Sequence, residues 1–139
     1  MTRAEIEFVE PDPARARDFI HQARLFLADA ERGTTSLEGS VVLYWNACIG
    51  SMDAILTASG RRVGRGEGSH AVRVQGALGV LGTGYEELFE RLDHWRRARN
   101  EVSYAAITPP SGDVAALQGD ARDVLDAATR YVGAASADG

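Results

Sequence analysis

The segment Trp95-Arg96-Arg97-Ala98-Arg99-Asn100-Glu101-Val102-Ser103-Tyr104 sets an arginine inside an apolar helical stripe and follows it at once with a polar residue. Leu88, Leu92, Trp95, Arg99, Val102 and Ala106 succeed one another at steps of three or four, the spacing that places residues on one helix face. Arg99 is therefore aimed at whatever that face packs on. A guanidinium keeps its charge when buried, so it requires a carboxylate, a phosphate or a watered groove at that point. Two readings stay open on spacing alone. Arg99 pairs with an acidic residue of another helix and fixes the packing register, or it meets a phosphate-bearing ligand.

Outward from this segment, its helix begins near Tyr85 and ends before Pro109-Pro110, since the first proline also disfavours helix at Thr108. A final helix from Asp113 repeats Val114, Leu117, Ala121, Val124, Ala128 and Tyr131 at helical steps, and an Ala/Gly/Ser tail follows. In the other direction Gly82-Thr83-Gly84 breaks the chain, and Ser69 caps a shorter helix to Leu81 that Gly76 and Gly79 weaken. Gly60-Arg61-Arg62-Val63-Gly64-Arg65-Gly66-Glu67-Gly68 reads as a flexible loop; it lacks the Gly-Lys-Ser/Thr ending of a phosphate-cradling P-loop and follows no predicted strand. Thr35 with Glu38 has the form of a capping box, opening a helix to about Ser59 that is apolar nearly all round and belongs at the centre of the core. Asp12 caps the first helix, Pro13 starts it, and Ala16, Phe19, Ile20, Ala23, Phe26, Leu27 and Ala30 carry its apolar stripe to Gly33.

Nothing reads as a strand and no segment repeats. The expected architecture is all-α: an up-and-down four-helix bundle with a short accessory helix, one domain over residues 1–139, its ordered core about residues 12–133 between short tails.

The net charge of −5 argues against a protein that coats nucleic acid by bulk electrostatics, although a local basic surface is hidden in that average. All 15 basic residues are arginine, which with abundant Ala and Gly points to a GC-rich, bacterial genome rather than to a function. Their clustering carries more: Arg61, Arg62 and Arg65 share one predicted loop, and Arg91, Arg96, Arg97 and Arg99 share one helix. Each cluster is either a solvated face or a phosphate-binding surface. The single cysteine, Cys48, excludes an internal disulfide and lies in an apolar segment. His21, His70 and His94 find no second ligand at metal spacing, and no Ser-His-Asp arrangement stands out, so no metal or cofactor is expected. With no signal-peptide pattern and no stretch read as membrane-spanning, the expectation is a soluble cytoplasmic protein with no membrane contact.

Arg99-Asn100-Glu101-Val102-Ser103-Tyr104 resembles the signature of the HEPN superfamily, the higher-eukaryote and prokaryote nucleotide-binding domains. There the last long helix carries Arg, a polar residue, and then His after four to six intervening positions. Here Tyr104 stands where the histidine belongs. Tyr44 to Leu56 followed by Gly60 is similar to the second helix of such domains, and Gly68-Ser69-His70 to the entry of their third.

The resemblance implies metal-independent RNA cleavage in catalytic members, with the ribose 2′-hydroxyl attacking the adjacent phosphorus to leave a cyclic phosphate and a 5′-hydroxyl. Carried over, Arg99 holds the phosphate, Asn100 orients it or the arginine, and Tyr104 takes the histidine's place, with Arg96, Arg97, Arg61, Arg62 and Arg65 as further phosphate-binding residues. An ordinary tyrosine titrates near about 10 and is a poor base at neutral pH unless cations such as Arg97 stabilise its phenolate. Residues 99 and 104 also lie roughly 140° apart around an ideal helix, so a joint site asks for distortion, a long reach or a second subunit. HEPN domains commonly dimerise with their signature helices close together, and a homodimer is the implied state. Two classes follow: a toxin-like endoribonuclease or its inactive descendant, restrained by an antitoxin protein, and a non-catalytic module that binds RNA or nucleotide or serves as a dimeric scaffold.

Overall fold

Asp12 accepts a hydrogen bond from the Arg15 amide at 3.0 Å, and Pro13 fills the first helical position, so α1 (Pro13–Glu31) starts where the sequence places it. The computed structural model describes residues 2–33, 35–105 and 111–138; the side chains of residues 99–105, 137 and 138 lie outside that description. Four further helices follow: α2 (Leu37–Ala58), α3 (Ser69–Leu81), α4 (Glu86–Ala105) and α5 (Ser111–Asp138). The fold is the expected all-α bundle. The stripe position Ala106 and the stop before Pro109 lie outside the described residues.

The core forms around α2, whose Ala47, Cys48, Met52, Ala54 and Ile55 have no exposed surface. Its neighbours contribute Ile20 and Ala23 from α1, Val74 and Ala77 from α3, Phe89 and Leu92 from α4, and Leu117, Val124 and Val132 from α5. Each large side chain so enclosed contributes about 1.5–3 kcal/mol relative to exposure. α1 runs antiparallel to α5: Arg17 Nη1 donates to Ser136 Oγ at 2.9 Å near one end, and Gln118 Nε2 to Glu31 Oε2 at 2.7 Å near the other. Arg122 adds an ion pair to Glu31.

Four expectations are corrected. At 22 residues α2 is long and apolar enough to cross a bilayer, against the reading that no stretch is; its apolarity serves burial, since most of it is enclosed by the other helices. The capping box also shifts by one residue, because Ser36 rather than Thr35 caps α2, accepting from the Gly39 amide at 3.1 Å. The cap of α3 moves too, to Gly68, with Ser69 its first helical residue. α5 continues through the supposed tail to Asp138, since alanines with a lone serine and Gly133 continue the turn pattern of the preceding stripe.

The largest departure is a two-stranded antiparallel ribbon, β1 (Ile6–Phe8) with β2 (Arg61–Val63), where the sequence shows only a tail and a flexible loop. Ile6 pairs with Val63, Glu7 with Arg62 and Phe8 with Arg61, and backbone bonds from Ala4 N to Glu67 O (2.8 Å) and from Gly64 N to Glu5 O (2.9 Å) extend the match. Gly76, read as a weak point of α3, is where this ribbon seats: a Cβ there would stand 2.7 Å from Ile6 Cδ1 and 3.3 Å from Leu56 Cδ2.

Candidate functional site

α4 opens on Glu86, whose carboxylate accepts from the Gly84 amide at 2.8 Å; a bond from its own backbone amide first, and then the one from Gly84, hold this acid below the usual carboxylate range. Further along, the apolar stripe meets α5 at Asp120, which is only 6% exposed. Arg91 Nε donates to Oδ1 at 2.9 Å and Trp95 Nε1 to Oδ2 at 2.7 Å, so both carboxylate oxygens are engaged from α4. The bond to Asp120 raises the affinity of Arg91 for its proton above an already high ordinary value. Cys48 is fully buried in the same core; desolvation first, and then the charge of Asp120, push its thiol far above the ordinary range. It is thus a spectator rather than a nucleophile.

The residues of the signature separate into two groups. Arg96 Nε and Arg97 Nη2 both turn back to Asp93, at 2.9 and 3.2 Å, as ordinary pairs within one helix. Arg99, Asn100 and Tyr104 lie on the helical backbone of α4, and their side chains lie outside the described residues. His94 is exposed and meets Trp95 edge-on, with ring centroids 5.2 Å apart.

The second arginine cluster lies on the ribbon. Arg61 Nη1 donates to the Ser59 carbonyl at 3.1 Å, and its guanidinium stands 5.3 Å from the centre of the exposed Phe8 ring. Arg62 Nε donates to Glu7 Oε1 of the facing strand at 2.7 Å, and Arg65 is exposed in the turn beyond. β2 packs on β1, α2 and α3, whereas α4 packs on α2, α3 and α5, so among the described residues no substantial contact brings the two clusters together.

What the fold does gather is a different set. Arg62 shares a cavity of about 260 Å³ with Arg15 and Phe19 of α1, Asp53 and Thr57 of α2, and Arg73 of α3. Arg73 Nε donates to Asp53 Oδ1 at 2.7 Å, and its Nη1 donates to His70 Nδ1 at 2.6 Å. His70 in turn meets Trp45 edge-on at 6.1 Å. Arg15 lies over the Phe19 ring at 5.3 Å. Sequence reasoning missed Arg15, Asp53 and Arg73, each of which reads as an ordinary polar position of its own helix. The one available signal was Asp53, a charged residue inside a helix otherwise apolar nearly all round.

Among the described residues no three His, Cys, Asp or Glu side chains come together in a way that would hold a metal ion. No family model, curated protein or solved structure matches this chain.

Proposed function

We propose that this chain is a HEPN-like helical module of the toxin or defence type that binds RNA or nucleotide in the cytoplasm, with metal-independent cleavage weak or lost. One observation carries the reading: α4 remains helical from Glu86 to Ala105, which keeps the whole segment Arg99 to Tyr104 on one helix of a bundle. The buried carboxylate of α5 that faces this helix supports it. Both oxygens of Asp120 are already engaged by Arg91 and Trp95, so the ion pair that fixes the register of α4 is made before Arg99 is reached. A basic side chain on a helical scaffold next to an amide is suited to a phosphate diester, which arginine grips bidentately. An antitoxin protein is the partner that this reading names.

A purely structural dimeric module is the second reading, favoured by the carboxylate pairing of Arg91, Arg96 and Arg97.

The experiment is a comparison of wild type, Arg99→Ala and Tyr104→His on total RNA without metal. Under the proposal, wild type binds and cuts slowly or not at all, Arg99→Ala loses binding with little change in melting temperature, and Tyr104→His gains cleavage that leaves cyclic-phosphate ends. A base with a pKa near about 6.5 supplies what tyrosine lacks. Rapid wild-type cleavage abolished by Tyr104→Phe makes the tyrosine catalytic and replaces the binding reading with an active endoribonuclease. Absence of binding and cleavage in all variants leaves the structural reading.

A further inference from the structure

We propose that the arginine-lined cavity between α1, α2, α3 and the ribbon binds a small phosphate monoester bearing hydroxyl groups, of the sugar phosphate class. It draws on none of the residues of α4 and shares only Arg62 with the RNA reading, so the two stand or fall on different side chains.

The three arginines are each fixed without using up their donors. Arg73 is anchored through Nε on Asp53 and through Nη1 on His70, which leaves Nη2 of its fork, and it is only 14% exposed; Arg62 is anchored through Nε on Glu7. Arg15 is laid on the Phe19 ring, and among the described residues neither its guanidinium nor the terminal nitrogens of Arg62 make a hydrogen bond. Anchoring a guanidinium by its Nε side or by its face leaves the terminal fork presented in a set direction, which is the pre-organisation that phosphate recognition rewards. Lysine would offer a point charge on a freer stem; here every cation is an arginine.

The balance of charge in the lining points the same way. Three guanidinium groups line the cavity with a single carboxylate, Asp53, and even with Glu7, which pairs with Arg62 beside it, the balance is positive in a protein whose overall charge is −5. Asp53 accepts from Arg73 on one oxygen, and among the described residues its other oxygen is left as an acceptor for a ligand hydroxyl. Phe19, Leu56 and Val63 form the apolar remainder, on which the carbon face of a sugar can lie. At about 260 Å³ the cavity is smaller than a typical cofactor site and matches a compact metabolite rather than a dinucleotide.

Isothermal titration of the full chain with ribose 5-phosphate tests this, with ribose and inorganic phosphate as separate titrants. One ribose 5-phosphate per chain is expected, with inorganic phosphate weaker and ribose silent. Arg15→Gln and Arg62→Gln remove exposed side chains, so both variants stay folded by their melting curves; each weakens binding about tenfold, as expected for loss of a charge-assisted contact. Absence of heat at millimolar ligand, or binding untouched by both substitutions, overturns the assignment. Tighter binding of a single-stranded RNA than of ribose 5-phosphate, lost in the same two variants, overturns the small-molecule class.

Discussion

Asp120 decides how α4 sits on the bundle. A carboxylate that accepts from an indole N–H and a guanidinium satisfies its charge inside the core, and it does so with partners one turn apart on a single helix. Asp120→Asn keeps the shape and removes the charge, and a terminal amide can offer an acceptor to one donor only. The expected loss is about 1–3 kcal/mol of stability, measured by urea unfolding, together with a shift in Trp95 fluorescence as its indole loses a charged partner. An unchanged unfolding midpoint would remove Asp120 from this role. The residue was open to discovery in the sequence, for it stands three after Leu117 and four before Val124, on the stripe that α5 buries. The test that singled out Arg99 on α4 finds Asp120 on α5 when applied there. What no spacing on a single helix reveals is the partner, since Arg91 and Asp120 become neighbours only when two helices dock.

At the scale of elements, helices were legible and strands were not. A stripe such as Ala16, Ile20, Ala23 and Ala30 repeats over many turns, so its period declares itself. Three-residue strands offer no period to read, and Arg61-Arg62-Val63 is flanked by Gly60 and Gly64, whose ordinary meaning is a turn. Pairing with a segment before α1 is a long-range event that leaves no mark in either stretch. The turn into β2 depends on Gly60, which has φ +79 and a site where a Cβ would come within 2.7 Å of the Val9 carbonyl oxygen. Gly60→Ala meets both the left-handed backbone penalty and a backbone atom that cannot rotate away. A loss of more than about 1 kcal/mol is expected, against the few tenths of stabilisation that the same change yields where the backbone permits it. Equal or raised stability would mean that the ribbon does not hold this turn.

For the whole molecule, the bundle follows from the distribution of apolar residues: α2 is apolar nearly all round and must be central, and α1 and α5 each carry one stripe with which to cover it. Among the described residues α4 shares less contact with its neighbours than α1, α2 or α5 does. Leu92 and Trp95 are taken up by the chain's own core and by Asp120, so the homodimer that the functional proposal implies would meet along the signature segment of α4 instead. Sedimentation equilibrium at micromolar concentration is expected to return twice the 14.9 kDa chain mass. A monomer at every concentration would remove the idea that Arg99 of one subunit and Tyr104 of another complete a site. The candidate site was legible only in part for the same reason that the ribbon was hidden. The sequence shows runs such as Arg96-Arg97 and Arg61-Arg62, whereas Arg15, Arg62 and Arg73 converge from three separate elements.

The pairing of Ile6 with Val63 closes a loop that contains the whole of α1 and α2, so the ribbon works as a clasp on the helical hairpin. Its closure costs chain entropy that a handful of backbone bonds must offset, whereas the hairpin has its own buried seam and keeps it when the clasp is open. Arg62 and its anchor Glu7 lie on opposite halves of that clasp. Opening it therefore dismantles one wall of the arginine cavity while leaving α2 covered, and by linkage any anion that settles in the cavity draws the clasp shut.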